Sequence, residues 1–322
     1  MAPLVTEIIP PVPETEFGRL RDHLPQSLPL LRRIQFTHYP QGTTEHARYL
    51  IATDSDGAID GGDRQGQPPS SQRHFAAAYL DLSKGPETEM YLYSTLEDAT
   101  DLAAVPNDEV ERVLDLAVAL LHRGKLAAEE ALRSGAYKLA RGAGFLVGGL
   151  HQPTYELLCS RRGLTSSYWN PHHAWLFRLD RLPGGGGSEG GSGPGPGLRW
   201  DVVRREDVPL IASRTYIPKI EATLMSEPSV GVRDAAGTLV AWGFIGVAGT
   251  LSTLHVEEPY RGKGMAKAVA TKVLREHSFG DDGWGSADVH IDNVQSQGVC
   301  KGLGGEKGWR NCWTVVDLDS IP

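Results

Sequence analysis

Residues 183–197 read PGGGGSEGGSGPGPG, a run whose glycine, serine and proline content resists ordering, because fixing such a backbone loses conformational entropy without apolar burial in return. A core cannot be carried through it. The residues on either side must each bury a core of their own, and a length of 322 residues agrees, since single domains seldom grow so long. The sequence therefore predicts one unit over 1–182, a flexible linker over 183–197 and a second unit over 198–322. A further polar stretch, 54–73, lies between two strand-like runs and is expected to form a long disordered hairpin loop.

Periodicity assigns the elements on each side. Before the linker, residues 46–53, 74–82 and 89–94 read as strands, and Val113, Leu116, Ala117, Leu120 and Leu121 give helical spacing within 108–134. A helix over 155–163 and an aromatic-rich strand over 167–179 follow. After the linker, helical patterning over 204–225 precedes strands at 229–233, 238–247 and 250–256, whose short turns suit an antiparallel meander. A helix over 264–277, a strand near 287–291 and a helix over 293–302 come next. The expected class is α/β in the α+β sense, with a central mixed, mostly antiparallel sheet flanked by helices.

Charge and cysteine usage narrow the partners. A net charge of −8 and a pI near 5.8 lack the concentrated basic surface that nucleic acid or an anionic membrane attracts, so neither is expected as a partner. No stretch is long and apolar enough to span a bilayer, and the N-terminus lacks the basic start and apolar core of an export signal. Cys159, Cys300 and Cys312 form no CxxC pair, which predicts neither a disulfide framework nor a metal site and suits a cytosolic or nuclear compartment.

The segment richest in chemistry is LHVEEPYRGKGMA, Leu254 to Ala266, a strand that passes through a glycine-rich basic turn into a helix. Such a turn exposes backbone N–H groups, and the new helix adds its positive dipole end. Gly262 and Gly264 permit close approach of a diphosphate, and Arg261 and Lys263 add fixed positive charge. The spacing is neither the GxGxxG dinucleotide fingerprint nor the P-loop. Taken alone, it also fits an ordinary strand-to-helix connection.

Arg261, Gly264 and Ala266 fill every fixed position of the pattern Arg or Gln, two residues, Gly, one residue, Gly or Ala. A helix beginning near Asn293 follows the next strand at suitable spacing. In these two motifs, in this order, the chain resembles the GNAT superfamily of N-acyltransferases. Thr215-Tyr216-Ile217-Pro218, Ala241-Trp242-Gly243-Phe244 and Tyr260-Arg261 carry a closer resemblance to the glycine N-acyltransferase branch, confined to the second half. The resemblance implies two tandem GNAT-like halves, the first degenerate.

It also implies a co-substrate, acetyl-CoA or another acyl-CoA, and an acceptor, the primary amine of a small molecule or amino acid, which attacks the thioester directly. By position, Leu254 and Val256 would bond the pantetheine arm through their backbone. Arg261, Gly262, Lys263, Gly264, Met265 and Ala266 would hold the diphosphate, and Asn293 would sit beside the arm. The usual acid, a Tyr seven residues after that Asn, is replaced here by Cys300, which reads either as a thiol that donates the proton instead or as a small buried helical residue, the thiolate then taking its proton from another source or from the attacking amine. No carboxylate occupies 250–254, where the branch carries its base, so His255, a group titrating at about 6.5 when unperturbed, is the candidate by type if its side chain faces the cleft. Strand alternation places Leu254 and Val256 on one face and His255 on the other. Glu257 and Glu258 are alternatives through a water.

Residues 215–219 and Glu221 fall where the superfamily covers its acceptor. His172, His173 and Trp175 read as packing and hydrogen-bonding residues, with the lining of an interdomain cleft as the alternative, and Trp309 and Trp313 as core of the last strand. Two other readings stay open: a noncatalytic acyl-CoA-binding protein, and transfer to protein lysines or N-termini.

Overall fold

A computed structural model describes residues 2–54, 74–184 and 194–322. The predicted loop beyond Asp54 and residues 185–193 of the predicted linker lie outside the described residues. The same order occurs twice along the chain: strand, two helices, three strands, helix, strand, helix, strand. The first pass runs β1 (Leu4–Ile8), α1 (Thr15–Arg21), α2 (Leu28–Gln35), β2 (Arg48–Thr53), β3 (Phe75–Leu80), β4 (Met90–Ser94), α3 (Asn107–Ser134), β5 (Gly144–His151), α4 (Gln152–Arg162) and β6 (Ser166–Arg178). The second runs β7 (Arg199–Asp201), α5 (Val208–Ala212), α6 (Glu221–Ser226), β8 (Ser229–Arg233), β9 (Leu239–Ile245), β10 (Leu251–Val256), α7 (Met265–His277), β11 (Trp284–His290), α8 (Val294–Gly302) and β12 (Glu306–Asp317). The predicted mixed α/β class with tandem halves is the fold observed.

The compact units do not follow chain order. One comprises residues 1–34, 43–170 and 312–322, and the other 35–42 and 171–311. The contacts therefore divide the chain within β6 and within β12, whereas composition suggested a division at the linker.

In the first unit, β1 to β4 pair antiparallel in order, and β4 runs parallel to β5, with Met90 opposite Val147 and Tyr91 opposite Gly148. Helix α3 lies on β2 and β3 and buries the predicted stripe of Val113, Leu116, Ala117, Leu120 and Leu121. Gly124 lets it approach closely, since a Cβ there would stand 2.7 Å from Phe145 Cζ. The helix stops at Gly135, whose left-handed φ of 67° glycine adopts without steric cost.

In the second unit, β7, β8, β9 and β10 form an antiparallel sheet. Helix α7 covers one face and buries Val269, Ala270, Val273 and Leu274, each of the larger three contributing about 1.5–3 kcal/mol by its removal from water. On the other face, Ile211 of α5 and Leu224 of α6 cluster with Trp242 and Phe244 of β9. Next to β10 comes β11, joined to it by a single isolated parallel bridge between Thr250 and Ser286. β11 then pairs antiparallel with residues 172–178 of β6.

The sheet consequently forks between β10 and β11. Trp175 is core, as predicted, but Trp309 and Trp313 are only half-buried, and the Trp313 indole donates to Thr88 Oγ1 at 3.2 Å. Among the described residues no helix is long and apolar enough to cross a membrane.

Candidate functional site

The site begins with an irregularity in β10. Ser252 lies opposite Phe244 and His255 opposite Trp242, so three steps on β10 match two on β9, a β-bulge at Thr253 and Leu254. Without it, Ser252 and His255 would point to opposite faces. With it, both partner residues whose rings sit in the α5 and α6 cluster, and both lie on that face. Leu254 and Val256 face α7, so the predicted division of faces is the one observed. Thr253 adopts φ +52°, a region that disfavours β-branched side chains and stores strain.

Past Val256 the chain makes a short helical turn at Glu258–Tyr260 and reaches the glycines. Gly262 and Gly264 have φ of 75° and 79°, and a Cβ on either would meet nothing within 4 Å. The turn is therefore an open concavity. Gly264 caps α7 without a side-chain bond, and the first N–H to find a helical acceptor is that of Ala268, on Gly264 O at 3.0 Å. The N–H groups of Met265, Ala266 and Lys267 are those an α-helix leaves unmatched in its first turn.

Arg261 and Lys263 are exposed beside the turn. Arg261 Nε donates to Val256 O at 2.8 Å, which fixes the arginine stem and occupies a carbonyl that was expected to serve the arm. The arrangement suits an anion with several oxygens: unmatched N–H groups, a helix N-terminus and two cations around glycines that leave room.

Two predicted residues sit at α8. Asn293 caps α8, its Oδ1 accepting from Ser296 N–H at 3.0 Å, so its side chain serves helix initiation. Cys300, open to reading as a proton donor or as a small buried helical residue, is the latter: it is 2% exposed and packs in the core with Leu303, Val289 and residues of α7. Burial, reinforced by the nearby Asp288 charge, pushes its thiol up to about 12. A thiol so buried and so weakly acidic does not supply the proton that a departing thiolate takes up at neutral pH.

His255 lies flat against Trp242, with ring centroids 4.7 Å apart and an interplanar angle of 23°. Burial holds its imidazole below the ordinary value, outweighing the opposite pull of Glu257, so the ring is neutral at physiological pH. Its Nε2 is buried without a hydrogen-bond partner, 3.7 Å from Glu257 Oε1. Glu257 in turn accepts from Arg214 Nε at 2.9 Å. Around the predicted acceptor region, Lys219 donates to Glu227 at 2.6 Å, Arg205 pairs with Glu221, and Tyr216 and Ile217 are exposed.

Sequence reasoning passed over Asp288. On β11, Ala287 and Val289 pack toward α7 and α8, which leaves Ser286, Asp288 and His290 on the opposite face, the side of Ser252 and His255. Asn311 Nδ2 donates to Asp288 Oδ1 at 2.6 Å. Burial pushes this carboxyl up to about 6 against the pull of that bond. The available signal was a carboxylate in the middle of a strand, between the apolar Ala287 and Val289.

The sequence profile of the acyl-CoA N-acyltransferase verG N-terminal domain matches residues 11–178, and that of the FR47-like proteins matches residues 229–314. No curated protein sequence matches the chain. Among solved structures, a Drosophila protein from a structural genomics consortium is similar at 15% identity and a TM-score of 0.60, with 98% of this chain and 100% of that chain covered. A GCN5-related N-acetyltransferase from Sphaerobacter thermophilus is similar at 14% identity and a TM-score of 0.55, covering 98% of this chain and 96% of that one. At such identities the likeness is one of fold.

Proposed function

The chain belongs to the family of the acyl-CoA N-acyltransferase verG N-terminal domain, within the GNAT superfamily, and from that premise we propose that its second unit transfers a short acyl group from coenzyme A to the primary amine of a small molecule or amino acid. The observation that carries this reading is the fork between β10 and β11 with the open glycine turn at the end of β10. A diphosphate held at Gly262, Lys263, Gly264, Met265 and Ala266 would leave the pantetheine arm lying along β10, with the thioester toward the closed end of the fork. The acceptor would enter from the α5 and α6 face, where His255 and the 215–219 loop lie. The AWGF strand and the Tyr260-Arg261 passage favour the glycine N-acyltransferase-like branch.

The amine attacks the thioester carbonyl, a C–N bond forms, and the C–S bond breaks with departure of the thiolate. No side-chain acid is needed if the thiolate takes a proton from the nitrogen that has just attacked, which accords with a buried Cys300. Cys300→Ala is accordingly expected to keep its rate.

The test is to incubate the protein with acetyl-CoA and longer acyl-CoA donors against glycine, glucosamine, tyramine, spermidine and a lysine peptide, following thiol release and product mass. Amine-dependent release is expected with a small acceptor. Calorimetry should register coenzyme A binding that weakens on the order of a hundredfold in Arg261→Glu/Lys263→Glu, the loss of charge-assisted contacts to the diphosphate. Binding without amine-dependent release would make the protein a noncatalytic binder. Product on the peptide alone would redirect the reading to protein acceptors, and absence of binding would sink it altogether.

A further inference from the structure

Resting on the acyltransferase reading, we propose that Asp288 is the catalytic residue that takes the proton from the attacking amine, and that Asn311 is its positioning residue.

The placement follows from the fork. β10 and β11 touch at Thr250 and Ser286 and run parallel from there. At about 3.3 Å per residue, Asp288 lies about 7 Å beyond the bridge, while His255 lies on the order of 16 Å beyond it, next to the glycine turn. A diphosphate anchored at that turn puts the middle of the arm beside His255 and the reactive end near the bridge. Asp288 is thus level with Ser252 and the Thr253 bulge, where the thioester carbon belongs, and His255 is level with the arm.

The surroundings of Asp288 are those of a built site. Asn311 reaches it from β12 across Ala174, the β6 residue directly opposite Asp288, and the small Ala174 side chain leaves the space for that bond. Asn311 is fully buried and its Oδ1 has no partner, and neither has the buried Ser286 Oγ two residues before Asp288. These two orphaned polar atoms flank the carboxyl and point to a polar ligand group that completes them. A primary ammonium fits: it donates to the carboxylate, to Ser286 Oγ and to Asn311 Oδ1. His290 and His172, edge-to-face at 5.5 Å, are the titratable neighbours on the same face of β11 and β6, and the Cys300 thiol of α8 is the titratable group that the Asp288 charge reaches on another element. No cation among the described residues offsets the burial of Asp288, which is why its carboxyl titrates close to neutrality, where a base is most effective.

The protons balance. An incoming ammonium carries three: one passes to Asp288 Oδ2 and then to solvent, freeing the lone pair that forms the C–N bond. The second passes from the nitrogen to the thiolate as the C–S bond breaks. The third stays on the amide.

The test uses the full-length protein with acetyl-CoA and whichever amine of the panel it accepts. Asp288→Asn keeps shape and the bond to Asn311, and should lower kcat by roughly 10²–10⁴-fold, the usual share of a general base, with coenzyme A affinity unchanged by calorimetry. In the parent protein kcat should rise with pH through a limb near 6, because the carboxyl must lose its proton to act, and that limb should vanish in Asp288→Asn. Asn311→Leu removes a bond that holds the carboxyl down, so its limb should move to higher pH, a displacement that a merely structural role would not produce. His255→Gln should leave the limb in place.

Asp288→Asn retaining kcat within about threefold, or a limb that moves with His255 instead, would overturn the proposal while the acyltransferase reading stands. Coenzyme A binding with no turnover on any amine in the parent protein would overturn both.

Discussion

The two passes along the chain follow one order of elements but treat the equivalent cleft in opposite ways. In the first, the connection from β4 to α3 contains no glycine over residues 95–106, and acidic side chains close its backbone. Glu97 accepts from Ser94 N–H at 2.9 Å, Asp101 accepts from Ala103 N–H at 2.9 Å, and Asp98 takes Tyr93 OH at 2.8 Å and pairs with His23 at 2.6 Å. β4 pairs with β5 at Met90 and Tyr91, and the buried Glu89 just before them accepts from Leu146 N–H at 2.8 Å and from Arg141 at 2.7 Å. In the second, the connection from β10 to α7 carries two left-handed glycines and two cations, and β10 meets β11 at one bridge. One topology thus gives a closed acidic fork and an open basic one. The difference resides in the backbone N–H groups of the turn: carboxylates of the chain itself satisfy them in the first, and in the second they are the groups we propose for a diphosphate.

That contrast breaks most readily at Glu89, which is 1% exposed and whose titration burial drives upward despite two hydrogen bonds. Glu89→Ala strands Leu146 N–H and frees Arg141, and should cost about 3–5 kcal/mol of stability, the usual penalty for removing one partner of a buried pair. Denaturant unfolding would register the loss, and calorimetry should find coenzyme A affinity within about twofold of the parent. A large change in affinity would mean that the first fork takes part in binding, and the contrast would fail.

A smaller effect is expected at Gly264. Valine there occupies open space but must adopt φ near 79°, which costs about 1–2 kcal/mol for an L-residue. Coenzyme A affinity should fall by at least about tenfold beyond anything that stability explains, because the new methyls fill the approach to the first-turn N–H groups. A lower melting temperature with intact affinity would remove the glycine turn from the site.

How far all this was legible from sequence depends on whether a feature is local. The stripe on α3, the α7 helix, the meander and the glycine turn were legible, because periodicity and turn chemistry are written within a few residues. The division of the chain was not: it falls within β6 and β12, whose extended patterning is continuous across it. Cys300 was legible only as an alternative, donor or buried helical residue, because a position in a motif does not say which side of a helix meets the core. Asp288 and Asn311 are 23 residues apart and meet only because β6 runs between their strands with Ala174 at the crossing point.

The least of the expected effects is the most specific to the open fork. β10 carries a register shift and a threonine at φ +52°, whereas β4, its counterpart in the first unit, pairs with β3 from Met90 to Ser94 without one. A strained residue of this kind costs about 1–3 kcal/mol, and glycine occupies the same conformation freely at an entropic cost of about 0.5–1 kcal/mol. Thr253→Gly also gives up the contact between the Thr253 and Ser252 hydroxyls at 3.1 Å, an interaction on the order of 1 kcal/mol or less for a part-buried neutral pair. The balance favours the variant slightly, so its unfolding midpoint should rise, by a few degrees at most, while Thr253→Ala, which keeps a disfavoured conformation, should not gain. If glycine instead lowers stability by about 1 kcal/mol, the bulge is held at ease and the open fork stores no strain. If it raises stability and slows turnover together, the strain is what holds Ser252 and His255 on the acceptor face.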